Sequence, residues 1–182
     1  MSDCRRAFIP GGGWFFTVNL LDRRKALLTH HIEILRDSVA ATRQSHPFEI
    51  DAFVVLPDHL HAIWKLPPDD ANFSVRWRLI KTRFAKALPA NERLSVVRAA
   101  RNERGIWQRR FWEHLIRDEA DYARHVEYCY YNPVKQGHVS RVCDWRYSSF
   151  HRDVRAGFPR IGAVTPRSQA NSVSGRDDRV SS

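Results

Sequence analysis

Apolar positions come in blocks whose period switches between two and about 3.6 residues. "GGGWFFTVNLL" opens on glycines and continues as an aromatic, β-branched run, which predicts a first strand. Leu27, Leu28, Ile32, Leu35 and Val39 then recur at helical spacing, with Pro47 beyond the end, and predict a helix through "DRRKALLTHHIEILRDSVAATRQSHP". "FEIDAFVVLPDHLHAIWKLP" reads as two strands around a turn at Pro57 and Asp58. "PPDDANFS" is a loop that offers Ser74 as the N-cap of the next helix. In that helix Trp77, Ile80, Phe84 and Leu88 form one apolar stripe, and Arg76, Arg78, Lys81, Arg83 and Lys86 take the rest of the circumference. "GIWQRRFWEHLI" predicts a strand. "DEADYARHVEYCYYNP" predicts a helix that starts with acidic residues, as the helix dipole favours, and stops near Pro133. "VKQGHVSRVCDWRYSSFH" is turn-rich yet aromatic, so it is expected to pack on the domain.

The order β-α-β-β-α-β-α has too short a link in "FVVLPDHLHAIW" for a parallel crossover. That link is a hairpin, the sheet carries antiparallel pairing, and the expected class is α+β: an antiparallel sheet with helices covering one face. From about Arg152 the composition turns to Ser, Arg and Asp without periodicity. One domain over residues 1–151 and a basic, disordered tail over 152–182 are expected. There is no internal repeat.

Charge adds a class of partner. The chain carries a formal +10, and the tail's six arginines and three aspartates leave +7 on the folded part. A basic domain favours nucleic acid or an anionic surface. No apolar run approaches the roughly 18 residues of a spanning helix, so no membrane partner is expected. The N-terminus has no apolar segment of signal-peptide type. Cys4, Cys129 and Cys143 make no CxxC pair, which fits reduced thiols in a cytoplasm and not a disulfide framework or a thiolate zinc site.

Two places carry candidate chemistry. In "LPDHLHAIWKLP", His59 and His61 are two apart and so face one side of a strand, while Leu60 faces the core. Two imidazoles can share a divalent metal and leave positions open for substrate oxygens. Two unrelated surface histidines would give the same pattern. In "HVEYCYYNPV", Tyr128 and Asn132 lie four apart on one helical face, with His125 one turn earlier. A tyrosine hydroxyl can attack a phosphodiester whose charge a metal offsets, and an amide oxygen can join the metal's ligands. Clustered tyrosines are more often packing residues, and Tyr130 and Tyr131 compete for the nucleophile's role. Helical phase sets Tyr130 away from the Asn132 face.

Five segments, "PGGGWFFTVNLLDRR", "VVLPDHLHAIWKLP", "WRLIKTRFAKA", "GIWQRRFWEHLIRDEADYARHVEYCYYNPVKQGHV" and "DWRYSSFHR", run in order from Pro10 to Arg152. Together they resemble the REP-associated tyrosine transposases, of the single-tyrosine HUH family. The resemblance implies a ferredoxin-like, RRM-like HUH nuclease fold. It implies metal ligation by His59, His61 and Asn132, with magnesium or manganese as the cofactor, and Tyr128 as nucleophile. It further implies nicking and rejoining of single-stranded DNA at hairpin-forming repeats through a 5′-phosphotyrosine, by a monomer or homodimer. Arg76, Arg78, Lys81, Arg83, Lys86, Arg109 and Arg110 are candidate phosphate contacts, the last two beside Trp107 and Trp112, whose rings can stack unpaired bases. A non-catalytic repeat-binding protein and a zinc-type metal hydrolase are the rival readings. After Arg155 the chain departs from the family pattern.

Overall fold

The computed structural model describes residues 9–89 and 104–157. Strands β1 (Gly13–Asn19), β2 (Glu49–Val55), β3 (His59–Lys65) and β4 (Trp112–Leu115) form one sheet in the order β2-β3-β1-β4. Every neighbouring pair is antiparallel, and the hairpin expected at Pro57 and Asp58 joins β2 to β3. The helices are α1 (Leu27–His30), α2 (Ile32–Ser45), α3 (Phe73–Ala87), α4 (Glu119–Lys135) and α5 (Phe150–Arg155). The α+β class holds.

The sheet is covered on both faces, not on one as the sequence suggested. Trp14, Phe16, Val18, Leu60, Ala62 and Trp64 point to the side of α2 and α3, where Trp64 stacks on Trp77 at 4.1 Å. Phe15, Ala52, Val54 and Ile63 point the other way, against Cys129 and Tyr130 of α4. Strand alternation explains this: Trp14, Phe16, Val18, Leu60, Ala62 and Trp64 make one face wholly apolar, while Phe15, Ile63, Ala52 and Val54 give the other face an apolar patch that must also be covered, beside its polar Thr17, His59 and His61.

Four local expectations need correction. The first long helix breaks at His31, whose backbone (φ −116°, ψ 41°) is not helical. The short turn before it is tied to the hairpin, since the Leu28 amide donates to the Pro57 carbonyl at 3.2 Å. Asn72, not Ser74, caps α3, because its side-chain oxygen accepts from the Val75 amide at 3.1 Å. The strand expected across "GIWQRRFWEHLI" shrinks to Trp112–Leu115. Before it, Trp107 makes only an isolated bridge to Leu20, and the Gln108 carbonyl accepts from the Lys81 ammonium at 2.6 Å. Finally, α4 runs through Pro133 to Lys135. The true stop is Gly137, at φ +74°. The His138 amide reaches back to Pro133 and the Gly137 amide to Val134, which is a Schellman motif.

The segment after α4 packs on the domain as expected. The Trp145 indole donates to the Val55 carbonyl at 3.0 Å, and Ser149 receives the Phe53 amide at 2.9 Å. The helix α5 crosses the boundary placed at Arg152, and the Arg152 guanidinium donates to the Asp51 carbonyl at 2.9 Å. The rest of the expected tail, from residue 158, and Cys4 lie outside the described residues.

Candidate active site

Strand register builds the floor of the site. Val54, His61, Thr17 and Trp112 are aligned in one row across β2, β3, β1 and β4. Ile63, Phe15 and His114 make the next row, and His59 pairs with Asn19 in the row on the other side. All face α4, which lies across them. His59 and His61 therefore share one face, as their spacing predicts, and both are buried.

Each imidazole is held by its Nδ1. That of His59 lies 2.7 Å from an Asp58 oxygen, and that of His61 lies 3.0 Å from the Thr17 hydroxyl. The ionised Asp58 carboxylate can only accept, so the His59 Nδ1–H donates and its Nε2 keeps a lone pair for the site; the Thr17 hydroxyl can take either role, and where it accepts from the His61 Nδ1–H the His61 Nε2 keeps its lone pair too. The His61 Nε2 is buried with no hydrogen bond of good geometry. Burial, and then the neighbouring His59, push the His61 pKa down to about 3, with the Asn132 amide acting in the opposite sense. Burial also lowers His59. Both rings are thus neutral near pH 7, the form that ligates a metal. Burial would raise the Asp58 carboxyl, but hydrogen bonds from His59 and Arg23 outweigh it and hold the group below its usual range. The Arg23 bond is 2.5 Å long.

Helix α4 supplies the opposite wall. Tyr128 is 42 % exposed, and its ring meets His61 edge-on at 5.1 Å and Phe15 at 5.8 Å. Asn132, one turn on, is buried, and its Oδ1 accepts from the Gln136 amide at 2.9 Å. The same Gln136 nitrogen lies 3.3 Å from the His59 Nε2. Two imidazole nitrogens and an amide oxygen thus converge beside an exposed phenol. That donor set, with an orphaned buried nitrogen, fits a divalent metal that keeps open positions. The ammonium of Lys135 sits 5.7 Å from the centre of the Tyr128 ring.

The competing tyrosines are disposed differently. Tyr130 is buried and donates to Asp153, with Ser149 at 3.0 Å on its other side. Burial and then that Asp153 bond drive its hydroxyl above the ordinary phenol range. Tyr131 is partly buried in the core beneath α4.

A second donor cluster joins β4 to α4. The Asp121 carboxylate receives His114 Nε2 at 2.8 Å, Arg124 at 3.0 Å and the Arg117 amide at 3.1 Å, and it lies 3.2 Å from His125 Nδ1. His114, and then Arg117 and Arg124, hold its pKa well below the usual carboxylate range, against the pull of burial. His114, Asp121 and His125 have metal-ligand chemistry. The atoms that would face an ion there, unlike the His61 Nε2, are already paired with one another.

The basic residues divide. Arg76 is 1 % exposed and donates to Asp70, to the Pro47 carbonyl and to the Asn72 carbonyl, so it serves the fold and not the surface. Arg83 is partly buried and donates to the Thr42 hydroxyl at 2.8 Å. Arg78, Lys86, Arg109 and Arg110 are exposed. Arg78, Lys81, Lys86 and Arg109 line one open groove between α3 and the chain before β4. Trp107 is buried with its indole donating to the Lys81 carbonyl, whereas Trp112 is 53 % exposed. Sequence reasoning missed Thr17, Asp58 and Gln136. Asp58 adjoins the histidines and Gln136 continues the four-residue interval from Tyr128 and Asn132, so both left a signal; Thr17 is brought in only by strand register.

No protein-family model matches the chain. It is 50 % identical over 176 residues to the REP-associated tyrosine transposase of Escherichia coli K12, covering 95 % of this chain and 99 % of that one. It is likewise 50 % identical over 157 residues to a Haemophilus influenzae protein that carries the same family name, covering 86 % and 89 %. A solved structure of a REP-associated tyrosine transposase bound to a REP hairpin superimposes with a TM-score of 0.74 at 45 % identity, over the full length of both chains. With a matching fold and half of its residues shared along nearly its whole length, the chain belongs to the REP-associated tyrosine transposases.

Proposed function

We propose that this protein nicks and rejoins single-stranded DNA at hairpin-forming repeats, with Tyr128 as nucleophile and His59, His61 and Asn132 as ligands of a magnesium or manganese ion. The observation that carries this reading is the Tyr128 ring packed against His61, whose Nε2 is buried without a partner. A divalent ion at that place supplies positive charge that polarises the scissile phosphate. The chain's own residues do the rest. Asp58 and Thr17 orient the two imidazoles. Gln136 holds the Asn132 amide. The Tyr128 oxygen attacks phosphorus and loses its proton to solvent, the bond from phosphorus to the 3′ oxygen breaks, and that oxygen takes a proton from solvent to leave as a hydroxyl. A 5′-phosphotyrosine remains, and a 3′-hydroxyl can attack it to rejoin strands.

The nucleophile and histidines meet within one chain, which supports a monomer competent for cleavage. Arg78, Lys81, Lys86, Arg109 and Arg110 are the proposed phosphate contacts, in a catalytic unit that ends with α5. No described helix is long and apolar enough to cross a membrane. Cys129 and Cys143 are free thiols, as in a reducing cytoplasm.

The test is labelled single-stranded repeat DNA incubated with the protein and Mg²⁺. Wild type is expected to form a 5′-linked covalent adduct, and Tyr128→Phe to form none. An adduct that persists in Tyr128→Phe but disappears in Tyr130→Phe moves the nucleophile. Cleavage without adduct favours water attack of the zinc-hydrolase kind, and hairpin binding without cleavage favours a repeat-binding protein. Full activity after joint replacement of His59 and His61 by Ala sinks the metal assignment.

A further inference from the structure

Two exposed aromatic side chains, Trp112 and Tyr128, line the same open pocket, with Phe15, Thr17, Arg124 and His125. The indole of Trp112 lies parallel to the His114 ring (interplanar 4°, centroids 5.8 Å), and His114 is stacked on His125 at 4.6 Å. Asp121 bonds to both imidazoles and is itself buried. The exposed indole therefore rests on a fixed stack of rings. Arg124 also pairs with Asp121 at 3.0 Å, yet its side chain is 67 % exposed at the pocket's rim. A flat aromatic wall beside a half-free cation suits a planar ring joined to an anion.

Position narrows the ligand further. Trp112, Thr17 and His61 share one sheet row on consecutive strands β4, β1 and β3. Neighbouring strands are about 4.8 Å apart, so the indole's strand is roughly 10 Å from that of the histidine. That is the reach of the nucleotide next to a phosphate held at His61 and Tyr128. Bases stack on aromatic side chains irrespective of sequence, with basic groups on the backbone. From this we infer that the pocket of Trp112, Arg124, His125 and Tyr128 seats the unpaired nucleobase adjoining the scissile phosphate, stacked on Trp112, with Arg124 on the backbone phosphate. The inference rests on Tyr128 being the nucleophile.

The experiment uses the full chain and an oligonucleotide carrying a repeat hairpin and its single-stranded flank, with either nucleotide beside the cleavage site replaced in turn by an abasic residue. Adduct formation is followed over a range of DNA concentrations. Trp112→Ala is expected to raise KM roughly tenfold or more, with most of the loss restored in Trp112→Phe. One abasic substrate is expected to raise the wild-type KM by a similar factor, and Trp112→Ala to add nothing on that substrate. Binding of the hairpin without its flank is expected to stay unchanged. An unaltered KM in Trp112→Ala, abasic and Trp112→Ala effects that multiply, or wild type indifferent to both abasic positions would each overturn the inference. The abasic arm needs no altered protein, so it holds even if a variant misfolds. Tyr128→Phe gives a readout independent of chemistry. With 2-aminopurine at the same position, fluorescence is expected to fall on binding, and not to fall when Trp112→Ala is added. Adduct failure in wild type with this quench intact counts against the nucleophile and not the base pocket; absence of the quench counts against the pocket alone.

Discussion

Burial makes His61 and His59 costly to protonate, and this gives the fold a pH dependence. The unfolded chain titrates near 6.5, whereas His61 in the fold titrates near 3. Between these values the unfolded state holds a proton that the folded state does not, so stability falls as pH drops through the window. In metal-free protein His61 alone is expected to remove about 2 kcal/mol between pH 6.5 and 5. Denaturant titrations at the two pH values check this, and His61→Asn is expected to flatten the difference. A second residue-scale outcome concerns Tyr130→Phe. It leaves the buried Asp153 carboxylate without its phenol donor. A loss of roughly 1–3 kcal/mol in denaturant stability is expected, with adduct formation retained at temperatures where the variant is folded. At this scale much was legible: the i,i+2 histidines and the i,i+4 pair Tyr128 and Asn132 share a face by local geometry alone. The orphaned His61 Nε2 was not, because burial is a property of neighbours far along the chain.

Among the elements, α4 best separates local from non-local control. Its start follows local rules, with Asp118 accepting from the Asp121 amide at 2.8 Å. Its end does not obey the proline signal. Pro133 is buried and the helix passes through it, held by the Schellman bonds around Gly137. Gln136, at the last turn, needs that ending to meet Asn132 and His59. Gly137→Ala is expected to cost about 1–2 kcal/mol, because a side chain disfavours φ +74° although nothing lies within 4 Å of the added carbon. Thermal unfolding checks the cost. Weakened metal affinity is expected beside it, read by Mn²⁺ titration. The shortened β4 teaches the same lesson: a run rich in strand formers forms ladder only where β1 offers a partner, and from Trp107 to Phe111 it makes one isolated bridge.

Across the whole molecule, charge is not one surface. Arg78 and Lys86 are exposed along an open groove, but Arg76 is sealed inside. Neutralising Arg78 and Lys86 together is expected to leave stability within about 0.5 kcal/mol. It is also expected to lower the salt slope of hairpin binding by roughly 1.5–2, measured by fluorescence anisotropy from 50 to 200 mM salt. Arg76→Ala is expected to destabilise by roughly 2–4 kcal/mol, since the Asp70 carboxylate and two carbonyls lose their donor. The helical pattern put both arginines on the same basic circumference; only contacts with Asp70 and Pro47 tell them apart.

By itself the sequence determined what short-range geometry governs: the strand and helix periods, the hairpin between β2 and β3, the shared face of His59 and His61, and the spacing of Tyr128 and Asn132. Its segment-by-segment resemblance also carried the family. Tertiary structure alone decided that α4 covers the histidine face while α2 and α3 cover the other, that Tyr128 lies against His61 while Tyr130 is buried on Asp153, and that Thr17 and Trp112 join the same row. The reason is that periodicity says which residues share a side of an element, whereas which element that side meets depends on the packing of apolar surfaces distant in sequence.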